Sequence, residues 1–388
     1  MLLAIRLAFG TAAALGLGRF AFGLLVPAMR DDLGWSLGEA GAMSTANGAG
    51  YLVGALLTTL VVHRLGTAFR AGMVVTALAM AASALTADFT ALLALRAVAG
   101  VAGAAVFVTG GVLATRLAAR AASSAPLTTY FAGAGLGIVF SGALIPALGA
   151  DWRPAWLALA LAGAVATAVS WGAAEAPVDA PEAPELSESG PKALEAGGPP
   201  RARVLGLWRV ALAYVLFAAG YITYITFLSA YLAERHASVV EVSGTWVAMG
   251  LAVIAAPAMW NGPIARWPGN RVLALVLAVL GGGAALALVA PWAVPLSAVV
   301  YGLTFMAVPA AVTALIRYGT RPVDWTATIA VFTTLFAAGQ SVGPWLAGLL
   351  ADHTTTEATL AWTAVLCTAA ALVAMTAGRT PPQGKEPA

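Results

Sequence analysis

An arginine near the middle of an apolar run is the first residue of this chain whose type demands an explanation. Arg19 stands in FGTAAALGLGRFAFGLLVPAM, residues 9–29, a stretch long enough to cross a bilayer. A guanidinium at the centre of a transmembrane helix costs about 2.5–3.5 kcal/mol on insertion scales, so the side chain must face a bundle interior or a wet cavity. Its planar fork of donors suits a carboxylate or a similar oxyanion, gripped by two charge-assisted hydrogen bonds. The alternative is a structural arginine held by backbone carbonyls of neighbouring helices, which Gly16, Gly18 and Gly23 would let approach. Arg96 is the second charge within a span, nearer the outer end of its helix, and it too is positive.

Few other polar groups share this depth. Tyr221 and Tyr224, three apart in GYITYITF, fall on one helical face, where hydroxyls can donate to an anion while the rings pack on its body. Asn47 and Tyr51 share a face by their i, i+4 spacing, and Gln340 stands alone in a late span. Each amide serves equally as a substrate contact or as interhelical glue. Tyr301, with Phe305, is a further aromatic candidate. None of the 17 acidic residues is centred in a span, and all three histidines fall in loops or at span ends. A cation pocket or an intramembrane proton relay normally needs a buried carboxylate. The usual residues of cation–proton antiport are therefore missing.

The elements that must position these groups follow from composition. The chain is 61% hydrophobic and 10% charged, far below the roughly 25% charge of soluble domains, which predicts a polytopic membrane protein. Apolar runs near 7–29, 40–62, 71–87, 90–114, 125–148, 155–174, 204–232, 242–264, 272–290, 293–316, 325–350 and 358–377 predict twelve transmembrane helices in an all-α fold. The first run is too long for a signal-peptide core and reads as a retained span. Placing both termini in the cytoplasm puts fifteen of the 20 basic residues inside, with Arg30, Arg153 and Arg235 outside. That is the orientation the positive-inside rule requires. The single cysteine, Cys367, cannot form an internal disulfide.

Residues 175–203, rich in Pro, Glu and Ala, read as a disordered cytoplasmic linker. They separate a first six-helix bundle, 1–174, from a second, 204–388, which ends in a short cytoplasmic tail. The halves echo each other. A shift of 202 lays Ser36 on Ser238, Glu39 on Glu241, Arg64 on Arg266 and Arg19 on Tyr221, and a shift of 205 lays Thr128 and Phe131 on Thr333 and Phe336. One residue later, Gly137 and Gly142 fall on Gly343 and Gly348. This predicts a duplicated unit with pseudo-symmetric halves and the substrate path between them. The small-xxx-small pairs Gly50/Gly54, Gly133/Gly137 and Gly339/Gly343 predict close helix crossings.

Several segments resemble the major facilitator superfamily over nearly the whole chain. LALRAVAGVAGAA, Leu93 to Ala105, is similar to its fourth-helix motif, with Arg96, Gly100 and Gly103 in place. FAGAGLGIVFSG, Phe131 to Gly142, resembles its glycine-rich fifth-helix motif, with Ile138 where that motif has proline. HRLGTAFR, His63 to Arg70, resembles in reduced form the cytoplasmic gating motif around Arg64 and Gly66, with His63 for the usual aspartate and Thr67 for a basic residue. The opening LGLGRFAFGLLVPAMRDDLGWS resembles the YbfB/YjiJ-type bacterial subfamily. The resemblance implies a major facilitator fold and a secondary transporter that works by alternating access. It also implies that Arg96 braces the bundle or assists proton coupling.

No HExxH, Cys–His grouping or buried aspartate pair supports an enzyme, and no GxxxxGK[ST] loop supports a pump. The expected protein is a carrier of a small organic anion, plausible cargo being a carboxylate, bound by Arg19, Tyr221 and Tyr224. It would work by proton symport or by exchange, as a monomer in the lipid bilayer without cofactor, metal or nucleic acid. The alternative is an exporter of neutral or amphipathic drug-like compounds in which Arg19 is structural. Alanine-rich usage with two lysines is typical of a high-GC bacterium, which places the chain in an inner membrane.

Overall fold

A computed structural model describes residues 1–58, 64–175, 201–267 and 270–377 of the chain. The described residues form twelve long helices and no strand: α1 Leu2–Leu33, α2 Leu37–Thr58, α3 Leu65–Ser83, α4 Phe89–Arg120, α5 Ala125–Leu144 and α6 Trp152–Ser170, then α7 Trp208–Glu234, α8 Val239–Arg266, α9 Arg271–Leu286, α10 Pro291–Gly319, α11 Trp325–Asp352 and α12 Glu357–Thr376. Ten of these are long and apolar enough to cross a membrane. The two that fall short of that measure do so for visible reasons. Glycines together with Glu39, Ser44, Thr45 and Asn47 dilute α2, and α9 has 16 residues.

Helices α1–α6 and α7–α12 make two pseudo-symmetric bundles, and local chemistry repeats between them. Ser36 and Glu39 cap the start of α2 reciprocally: the Ser36 N–H donates to the Glu39 carboxylate at 2.9 Å and the Glu39 N–H to the Ser36 hydroxyl at 3.1 Å. Ser238 and Glu241 do the same for α8 at 2.7 and 3.3 Å. Gly133 and Gly137 bring α5 onto the carbonyls of Ala8 and Ala12 in α1, and Gly339 and Gly343 bring α11 onto those of Val215 and Ala219 in α7. In α2, Gly50 and Gly54 meet the carbonyls of Ala97 and Val101 in α4.

These crossings leave no room for a side chain. A Cβ on Gly343 would lie 2.0 Å from the Ala219 oxygen, whereas one on Gly282 would meet nothing within 4 Å among the described residues. Gly343→Val is therefore expected to cost about 1–3 kcal/mol and to lower the melting temperature in detergent. Gly282→Val should leave it nearly unchanged.

The polar contacts between the bundles, among the described residues, lie at mid-depth and at the end away from the termini. There the Asp352 carboxylate accepts from the backbone N–H groups of Leu37 and Gly38 at 2.7 and 2.9 Å, an acid at a helix N-terminus. Arg30 approaches Glu234 at 3.9 Å, and the hydroxyls of Ser44 and Thr226 meet at 2.9 Å. Gly142 packs on Trp246 and Gly348 on Leu37, so α5 meets α8 as α11 meets α2. The opposite, terminus-side end is entered by a cavity.

Residues 176–200, most of the expected linker, and residues 378–388, the expected tail, lie outside the described residues, as does His63 of the gating segment. The described ends of the linker are docked by charge. Glu175 pairs with Arg70 at 2.6 Å, and Arg203 Nε donates to the buried Asp324 at 3.0 Å.

Candidate functional site

The site begins with a local departure from α-helix geometry. Residues Ala12–Phe20 of α1 form a π-helical segment, in which the Ala21 N–H reaches back five residues to the Gly16 carbonyl at 2.9 Å. Such wide turns concentrate at functional positions. Gly16 lets this segment lie against α5, since a Cβ there would stand 2.5 Å from Gly137 Cα. The segment carries Arg19 near the middle of α1, 7% exposed.

Arg19 Nη2 donates to Gln340 Oε1 of α11 at 2.7 Å. The Tyr221 hydroxyl of α7 donates to the same oxygen at 2.8 Å. Arg19 Cζ also sits 5.1 Å from the centre of the Tyr51 ring of α2, a cation–π contact. One amide oxygen thus collects a guanidinium from the first bundle and a phenol from the second. Gln340 is fully buried, and its Nε2 has no hydrogen-bond partner among the described residues. Neither Arg19 nor Arg96 forms an ion pair with a carboxylate among the described residues. The neutral amide satisfies one donor of Arg19 without offsetting its charge.

The remaining sequence candidates divide into near and far. Tyr301 of α10 donates its hydroxyl to the Tyr221 backbone carbonyl and so supports the site from behind. Tyr224 stacks on Tyr301 with ring centres 4.2 Å apart and shares a hydrogen bond with Ser297 at 2.7 Å, inside the second bundle. It is not brought to Arg19. Asn47 donates to the Arg96 backbone carbonyl at 3.0 Å, and Arg96 Nη1 donates to the Gly18 carbonyl at 2.6 Å. Arg96 lies over Phe22 at 4.6 Å and near Trp156 at 5.7 Å, so these contacts tie α4 to α1, α2 and α6. Gly100 permits the α2–α4 crossing, with its would-be Cβ 2.1 Å from the Asn47 oxygen, while Gly103 faces Ala14 with room to spare at 3.5 Å. At the terminus side, Gly66 packs on the Ala174 carbonyl, and Arg64 is exposed just before α3.

Two features were not anticipated from the sequence. Tyr214, Phe217 and Tyr221 form a stacked aromatic stripe with Phe305 and Phe336, with Phe217 and Tyr221 centred 4.9 Å apart and Tyr214 and Phe336 5.0 Å apart. The 3, 4, 3 spacing of Tyr214, Phe217, Tyr221 and Tyr224 was the available signal. The second feature is a cavity of about 650 Å³ on the terminus side of Arg19. Tyr51, Ala55, Phe107, Val108, Gly111, Val112, Thr115, Arg116, Leu127 and Phe131 of the first bundle line it, with Thr333 of the second. Arg19 is not among the lining residues; it lies against the ring of Tyr51, which is.

Comparison with known proteins agrees with this architecture. Residues 11–378 match the sequence family described as uncharacterised MFS-type transporter YbfB. No curated protein sequence matches significantly. Among solved structures, the nucleoside transporter NupG is similar with a TM-score of 0.72 at 13% identity, over 97% of this chain and 98% of that one. A bacterial homologue of the human lysosomal transporter Spinster, in an inward-facing and occupied conformation, gives 0.71 at 15% identity over 98% and 96%. At these identities the likeness concerns the fold.

Proposed function

The chain belongs to the family of YbfB-type major facilitator transporters, a multi-pass membrane protein and not an enzyme, and on that premise we propose that it carries a small organic anion, a carboxylate, by alternating access. The observation that carries the reading is the shared bond at Gln340 Oε1, where Arg19 and Tyr221 converge from opposite bundles at 2.7 and 2.8 Å. An amide oxygen is the neutral counterpart of a carboxylate oxygen. A substrate carboxylate that displaces it accepts from the same two donors, takes a second N–H from the Arg19 fork, and offers the unpartnered Gln340 Nε2 an acceptor. It also supplies the negative charge that the site lacks. Binding groups from both bundles make the cargo itself the link between them, which is what alternating access requires.

Coupling follows from the same deficit. With no carboxylate centred in a span, the proton of a symport cycle would travel on the substrate, or the loaded carrier would return only with a second anion, as an exchanger. The positive-inside count supports cytoplasmic termini and the alanine-rich, lysine-poor composition supports a bacterial inner membrane; in that orientation the cavity faces inward. Bundles at 1–174 and 204–388 and a linker at 175–203 complete this proposed layout.

The apolar cavity lining favours one second reading, export of neutral amphipathic compounds with Arg19 structural. Uptake of a labelled carboxylate into proteoliposomes, competed by acids and by their uncharged amides, separates the two. The acid is expected to compete at least tenfold better than its amide, and uptake is expected to rise with acidic outside pH or with trans-loaded anion. Equal competition by the amide would favour the second reading.

A further inference from the structure

The cavity below Arg19 has a chemistry that limits the body of the cargo as well as its head. Resting on the proposal that Arg19 anchors an anion, we infer that the substrate is an amphipathic monoanion with an aryl or branched-alkyl body, rather than a short or doubly charged acid. Arg19, Tyr221 and Gln340 are not themselves lining residues; the link between anchor and cavity is the Tyr51 ring, which lines the cavity and carries the Arg19 guanidinium at 5.1 Å. From there the lining runs outward over Phe107, centred 6.2 Å from Tyr51, and Phe131, centred 5.4 Å from Phe107, with Val108, Val112 and Leu127 beside them. Among the described residues, Arg116 is the one charged member of the lining, and no acidic residue belongs to it.

Two physical consequences follow. First, a cavity of about 650 Å³ is of the size that encloses a drug-sized molecule of roughly ten or more heavy atoms. A two- or three-carbon acid would leave its aromatic walls wet, whereas each methylene laid on them gains about three- to fourfold in affinity. Second, Arg116 lies nine residues beyond Phe107 on the same helix, hence about 13 Å further along its axis. A dianion of succinate length that seats one carboxylate at Arg19 cannot reach Arg116 with the other. Its second charge would lie against Phe107 and Phe131 with no cationic partner among the neighbouring lining residues, losing hydration without a compensating ion pair. Arg116 therefore attracts anions to the mouth without forming a second seat for a short one.

The test is a binding series on the purified full-length protein, measured by titration calorimetry with acetate, butyrate, hexanoate, benzoate, 3-phenylpropionate and succinate, on wild type, Arg19→Gln and Phe131→Ser. The inference predicts that affinity climbs with the apolar body, with hexanoate about tenfold or more tighter than butyrate, 3-phenylpropionate tighter still, and succinate no better than acetate. Phe131→Ser should flatten the climb. If acetate or succinate binds wild type as tightly as 3-phenylpropionate, and Arg19→Gln loses that binding, the anchor stands and the inference about the body is overturned. If no acid binds wild type, or Arg19→Gln binds every acid as wild type does, the anion reading itself fails and this inference falls with it.

Discussion

Arg19→Gln is expected to abolish carboxylate transport while leaving a folded protein. The glutamine retains a polar group near Gln340 but loses the charge and the fork. Removing one partner of a buried, hydrogen-bonded charge pair costs about 2–5 kcal/mol, equivalent to roughly 30- to several-thousand-fold in affinity. The fold should tolerate the change, because the arginine's contacts within the protein are one neutral hydrogen bond and a ring face, and burying a lone cation is itself costly. Arg19→Lys discriminates further: it keeps the charge as a point and loses the bidentate geometry, so a partial loss is expected. Initial-rate uptake in proteoliposomes, with melting temperature as the folding control, measures both. Undiminished uptake by Arg19→Gln would make Arg19 a structural residue.

Gln340→Glu is expected to act as a built-in ligand. Gln340 Oε1 already sits 2.7 Å from Arg19 Nη2 and 2.8 Å from the Tyr221 hydroxyl, so a carboxylate of the same length needs no new geometry to pair with both. It would convert a neutral hydrogen bond into a charge-assisted ion pair spanning α1 and α11. The substitution should raise the melting temperature of the protein without added ligand, remove its response to added carboxylates, and stop transport by occupying the site permanently. The isosteric size of the two side chains argues against a packing artefact. A variant that melts like wild type and still responds to carboxylates would separate Gln340 from the substrate site.

Much of this arrangement was legible in the chain because membranes penalise exceptions. Arg19 and Gln340 stood out as polar groups in apolar runs, and the 202-residue repeat laid Arg19 on Tyr221. In the structure those two side chains donate to one oxygen from opposite bundles. The meeting itself was not legible, because contact between α1, α7 and α11 depends on how the helices rotate and cross. Tyr224 illustrates the limit. Its spacing puts it near Tyr221 on one face, yet three residues turn a helix by about 300°, and that difference sends its hydroxyl to Ser297. The π-helical turn under Arg19 left no signal in the sequence beyond Gly16 and Gly18. Phe107 carries no signal of its own and Phe131 stands out only as a repeat and motif position; that both line a cavity depends on how α2, α4 and α5 pack. By contrast, the glycine crossings followed from local spacing, and the serine and glutamate pairs that the repeat laid on each other turn out to be reciprocal helix caps.

The most direct test of the central claim is thermal stabilisation of the purified protein by a panel of carboxylates and of neutral and cationic drug-like compounds, on wild type and Arg19→Gln in parallel. A ligand raises the melting temperature by binding the folded state preferentially, so the readout requires no prior choice of cargo. The account predicts stabilisation of wild type by carboxylates alone, lost in Arg19→Gln. Equal stabilisation of both proteins by neutral compounds, with none by carboxylates, would contradict it.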